Sequence, residues 1–178
     1  MKYLLLAFSF AVLFFTFSCS KSGTPTSGTV TLDNKLYGSA PYYSMGFTFS
    51  GAKKVSTLAN PAPDLTIEAG VLEGGVTVVP FLEANTLEPA FGLIGQYGSS
   101  EEAETAFNAL VSVGSPAWID LGAPLAANQL WVFRTGNDTY AKLLILSVSL
   151  NTGADPDFAS CTFKWVYQPD GTATFPAL

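Results

Sequence analysis

Few side chains in this 178-residue sequence can do chemistry, and their types narrow it quickly. Histidine is absent, which removes every Ser-His-Asp triad, Cys-His dyad and histidine-based zinc site. What remains is two cysteines, Cys19 and Cys161, the methionine Met45, and a crowd of aromatics: Tyr37, Tyr42, Tyr43, Phe47 and Phe49. Gly38, Pro41 and Gly46 are interspersed among them. Exposed tyrosines stack on sugars or on a flat macrocycle, whereas buried ones fill a core, and both readings of Tyr42 and Tyr43 stand. Phe47 and Phe49 alternate with polar neighbours and are read as core. Met45 shares their strand face, so its thioether goes either into that core or into a cleft.

Carboxylates outnumber cations, 14 to 8, for a net charge of −6. Nucleic acid is not an expected partner, because phosphate binding needs a Lys/Arg surface. Fourteen acids supply chance pairs of the kind a glycosidase uses, so no pair stands out from sequence. Asp155-Pro156-Asp157, with Asn151 nearby, could contribute to a calcium site, but it lacks EF-hand spacing and Asp-Pro is also ordinary turn chemistry. Nucleophile elbows, phosphate loops and dinucleotide-binding glycine motifs are absent. With 48% hydrophobic and 12% charged residues the chain is expected to fold, and to bind rather than catalyse.

The amino terminus sets the expected compartment. Lys2 precedes Leu4 to Phe17, an uncharged apolar run. It is shorter than the roughly 20 residues a bilayer span needs, and suits a signal peptide. Ser18-Cys19 at its end resembles a bacterial lipoprotein signal, in which cleavage precedes the cysteine and its sulfur is acylated; an ordinary secretory signal with a chance cysteine is the alternative. The expected division is a signal peptide over 1–18, a flexible Ser/Thr/Gly/Pro tether over 19–28, and one β-rich domain over 29–178. Acylated Cys19 would hold the domain on a lipid bilayer, each buried methylene contributing about 0.8 kcal/mol. Cys161 is then left as a free thiol, and its alternation with Phe163, Trp165 and Tyr167 places it on the core face of a strand.

The elements that must position these residues read as mainly β: an antiparallel meander with one short amphipathic helix packed on it. Strands are expected at Gly28–Leu32, Met45–Ser50, Asp64–Ala69 and Gly75–Leu82, the last at an edge because Pro80 has no N–H to donate. Ser99 and Glu102 form a capping box ahead of Ala103, Ala106, Phe107, Leu110 and Val111, an apolar stripe at helical spacing, with Gly114 and Pro116 to stop it. Glu101, Glu102 and Glu104 sit near the positive end of the helix dipole, which accounts for them without a metal. Leu130–Thr135, Tyr140–Leu150, Ser160–Tyr167 and Thr172–Phe175 complete the meander, the last two joined by the turn Gln168-Pro169-Asp170-Gly171.

Two stretches carry a family resemblance. Trp131-Val132-Phe133-Arg134-Thr135-Gly136-Asn137-Asp138-Thr139-Tyr140-Ala141-Lys142-Leu143 resembles a hairpin of the HmuY-like lipoproteins of Bacteroidetes. Thr162-Phe163-Lys164-Trp165-Val166-Tyr167-Gln168-Pro169-Asp170-Gly171 is similar to that family's closing hairpin. The resemblance covers roughly residues 128–175. It implies a mostly β fold on the outer membrane, with a cleft that takes haem and passes it to an uptake receptor. The family's iron ligands are histidines or methionines, and this chain departs from that pattern: it has no histidine and, beyond the leader, one methionine, Met45. The expected ligand is haem or a porphyrin held partly by stacking, with Met45, Tyr42 and Tyr43 as candidate ligand-binding residues. A surface glycan-binding or adhesive lipoprotein is the alternative.

Overall fold

The three strands expected around residues 130–167 all form in the computed structural model, which describes residues 24–176. The leader, Cys19 and the start of the tether lie outside the described residues. In chain order the elements are β1 (Ser27–Asp33), β2 (Met45–Thr48), β3 (Lys53–Ser56), β4 (Leu65–Val71), β5 (Val78–Ala84), β6 (Phe91–Gln96), α1 (Ser100–Ala109), β7 (Trp118–Ile119), β8 (Leu121–Gly122), β9 (Gln129–Arg134), β10 (Tyr140–Asn151) and β11 (Phe158–Gln168). One sheet has the order β1-β11-β10-β9-β6-β7 and the other β3-β2-β4-β5-β8. Every pairing is antiparallel. The protein is thus mainly β, with one short helix among the described residues.

Three layers result, and the larger sheet is the middle one. Its inner face turns Trp131, Phe133, Leu143, Ile145, Cys161, Phe163 and Trp165 onto Phe47, Phe49, Leu65, Ile67 and Leu82 of the smaller sheet. Its other face turns Leu130, Val132, Leu144 and Val166 onto Ala103 and Phe107 of α1, with Val113 and Phe175. Two-sided burial explains why Leu130-Trp131-Val132-Phe133 and Leu143-Leu144-Ile145 read as continuous apolar runs rather than alternating ones. Aromatic rings meet at the centre: Phe49 lies 5.4 Å from Phe133, 5.8 Å from Tyr167 and 5.1 Å from Phe47. Each such side chain contributes about 1.5–3 kcal/mol by leaving water.

Helix α1 begins as its sequence predicts. Ser99 Oγ accepts the Glu102 N–H at 3.2 Å, while Glu102 Oε2 reaches back one residue beyond the usual box to accept the Gly98 N–H at 3.1 Å. It ends earlier than Gly114 and Pro116 would place it. Leu110 already has extended backbone, and Val111, expected on the buried stripe, is exposed. The cause is tertiary: Lys142, buried on β10, donates from Nζ to the carbonyls of Phe107 (2.7 Å) and Leu110 (2.8 Å). A cation at a helix carboxy terminus satisfies orphan carbonyls and complements the dipole. Burial, and then the charge of Lys164, lower the Lys142 pKa from its usual value.

The expected final hairpin does not form. β11 already has both edges occupied, by β10 and by β1, so no vacancy exists for Thr172–Phe175. That segment crosses to the helix layer, where Val113 N–H donates to Ala173 O (2.9 Å), Phe175 N–H donates to Val111 O (3.0 Å), and Phe175 is buried. β1 starts one residue earlier than expected, inside the stretch read as tether, since Ser27 and Gly28 pair with Val166 and Trp165. A Cβ on Gly28 would stand 3.3 Å from the Trp165 indole, a close contact that glycine eases. β5 starts three residues later than expected, at Val78. Pro80 sits where its outer edge lacks a strand, because β8 pairs only with Leu82 and Glu83.

Candidate functional site

The aromatic crowd divides into buried and displayed members. Phe47 and Phe49 join the core, as their alternation predicts. Tyr37 and Tyr43 bridge each other across a short loop, with Tyr37 N–H donating to Tyr43 O at 2.8 Å and Tyr43 N–H to Tyr37 O at 3.2 Å. Their rings stack at 5.9 Å with 25° between planes. Gly38 makes this turn, with φ +82°, and a Cβ there would meet the Tyr43 ring at 3.1 Å. Tyr42, next to the stack in the chain, is 61% exposed. Met45 is half-buried at the start of β2, opposite Ser56 and outside both buried clusters, so the core reading does not extend to it.

The tyrosine loop follows directly on a concavity of about 420 Å³ that Leu36 lines, within the usual range for small-molecule sites. Its lining includes Asn34, Lys35, Leu36, Asn151, Asp155 and Asp157. Asn34 holds the two sides together: its Nδ2 donates to Asp157 O (2.9 Å) and its Oδ1 accepts the Ala159 N–H (2.9 Å). Lys35 belongs to both features, with Nζ 5.5 Å from the Tyr37 ring centroid. The geometry therefore brings Tyr37, Tyr42, Tyr43, Lys35 and the concavity to one end, while Met45 lines neither. Asn151, Asp155 and Asp157 do come together there, yet Lys35 shares their concavity, and among the described residues no group of three or more His, Cys, Asp or Glu could hold a metal.

Sequence reading missed one carboxylate pair. Glu68 on β4 pairs with Phe81 and Glu83 on β5 pairs with Thr66, so the two acids are diagonal neighbours on the outer face of the smaller sheet. Burial, and then the charge of Glu83, push the Glu68 carboxyl up to about 7. The signal was present as outward positions alternating with Ile67 and Leu82, but strand register was needed to bring the acids together. The adjoining concavity, lined by Thr66, Glu83 and Asn85, is about 180 Å³, below the roughly 300 Å³ at which ligand pockets begin.

Cys161 is buried and free, with its thiol pushed up to about 12 by burial, so it packs as a small hydrophobe and is not a thiolate at neutral pH. Cys19, the proposed lipid attachment point, lies outside the described residues. No helix among the described residues is long and apolar enough to cross a membrane. No protein-family model, curated protein or solved structure matches this chain.

Proposed function

We propose that this chain is a membrane-tethered binding protein that takes a flat ring ligand, haem or a porphyrin first, on the tyrosine loop at the Asn34 end of the sandwich. The observation that carries this reading is the Tyr37–Tyr43 stack beside exposed Tyr42 and the 420 Å³ concavity. Aromatic faces bind a macrocycle by offset stacking, and Lys35 on the rim suits a carboxylate of the ligand. The resemblance of residues 128–175 to HmuY-like lipoproteins supports the same reading. The lipoprotein-type signal supports it too, and on this reading Cys19 is acylated, the outer membrane is the location and an uptake receptor is the partner. Without histidine, iron would be met by Tyr42 or Tyr43, or the macrocycle would be held by stacking with no axial ligand from the protein; Met45, which lines neither the loop nor the concavity, is the outlying candidate.

Titration with ferric haem and with iron-free protoporphyrin tests this. Saturable binding of both, weakened about threefold to tenfold in Tyr42→Ala, is the result expected from stacking. A Soret shift lost in Met45→Ala would assign the iron to Met45. Binding of neither macrocycle would overturn the reading. The exposure of Tyr42 equally favours a glycan, in which case the chain is retained on a polysaccharide gel and Tyr42→Ala is not.

A further inference from the structure

β10 has two neighbours along its first half and one along its second. β9 pairs with it from Tyr140 to Leu144, and the Asn128 N–H donates to Ile145 O at 2.8 Å. Past that point no described strand follows its outer edge, while β11 holds the inner edge to Asn151. Leu146 to Asn151 therefore presents backbone donors and acceptors that no described strand pairs. Proteins ordinarily blunt such an edge with charge, proline or brevity. This one has no charged residue and no proline, only the bulge between Ile145 and Ser147, and it leaves Leu146 and Leu150 41% and 37% exposed.

The edge is also self-complementary. Leu146-Ser147-Val148-Ser149-Leu150 reads the same in both directions. We propose that it is an interface between two copies of this chain, paired antiparallel about a two-fold axis through Val148. Val148 then faces the partner's Val148, Ser147 faces the partner's Ser149, and Leu146 faces the partner's Leu150. Serine hydroxyls donate and accept alike, so the Ser147–Ser149 rows satisfy each other, and the two leucine pairs leave water. A chain of net charge −6 repels its copies over most of its surface, and an uncharged edge is where two can meet. Such a two-fold contact is isologous and closes, giving a dimer with one continuous sheet rather than a fibre. Its small area makes the dimer weak and concentration-dependent.

The test is sedimentation of the full chain in mild detergent over a range of concentrations, with two double variants on the solvent face. Ser147→Glu with Ser149→Glu places like charges opposite each other twice, and is expected to sediment as monomer. Ser147→Glu with Ser149→Lys places opposite charges in the same positions, and is expected to remain dimeric, as the parent does. Circular dichroism confirms that both keep the parental fold. A parent that stays monomeric up to its solubility limit overturns the proposal, as do two variants that behave alike.

Discussion

The two halves of β10 have the same neighbour on one edge and different fates. From Ala141 to Ile145 every residue is buried, because the smaller sheet covers one face and α1 the other; from Leu146 on, only Val148 escapes exposure. The change coincides with the end of β9 pairing and with the bulge at Leu146. Burial in this protein is decided by what overlies a strand rather than by the strand itself. The two halves also differ in chemistry, since Lys142 is buried in the first and the second is an uncharged ladder of Leu, Ser and Val.

The largest effects belong to the covered half. Leu143→Ala removes a fully buried side chain between the layers and should cost about 2–5 kcal/mol in denaturant unfolding, whereas Leu150→Ala on the exposed half should cost less than about 1 kcal/mol. Equal losses would break the contrast. Lys142→Met keeps the stem but orphans the carbonyls of Phe107 and Leu110. Loss of two charge-assisted bonds outweighs relief of a desolvated ammonium, for a net cost of about 1–2 kcal/mol, and amide exchange should rise selectively at the end of α1. A neutral result would mean that the ammonium is no better placed there than a thioether.

Asp64 sharpens the same comparison at the tip of the smaller sheet. Its Oδ2 accepts the Phe49 N–H at 2.8 Å, and burial raises its pKa although that bond opposes the shift. Asp64→Ala should cost about 1–2 kcal/mol by leaving that N–H without its acceptor. The smallest effect is a pH slope. Glu68 titrates near 7 when folded against 4.5 ordinarily, so the folded chain binds the extra proton between those values. Its contribution is present below 4.5 and lost as pH rises through about 7, and Glu68→Gln should flatten that part of the stability profile.

Much of the middle sheet was legible because its signals are local. Apolar runs bounded by turn residues located β9, β10 and β11, and the Ser99–Glu102 spacing located the start of α1. β6 escaped notice because Gly92 and Gly95 break its pattern. Yet Gly92 is required by packing, since a Cβ there would lie 2.5 Å from Pro116 and 2.9 Å from Val132. The candidate site was half legible. Tyr42 and Tyr43 stood out by type, but Lys35 and the loop around Asp155 and Asp157 are distant in sequence, and meet through the pairing of β1 with β11 and the Asn34 side-chain hydrogen bonds.

By itself the sequence determined composition, periodicity and capping: a mainly β chain with a short helix at Ser100, a buried Cys161 and an aromatic core around Phe47 and Phe49. Those properties depend on neighbours a few residues apart. Tertiary structure alone decided where α1 stops, where the chain goes after Gly171, which acids meet and which strand edge stays open. Each of those depends on groups from separate segments competing for one carbonyl, one strand edge or one face, and such competition is settled only when the segments are packed together.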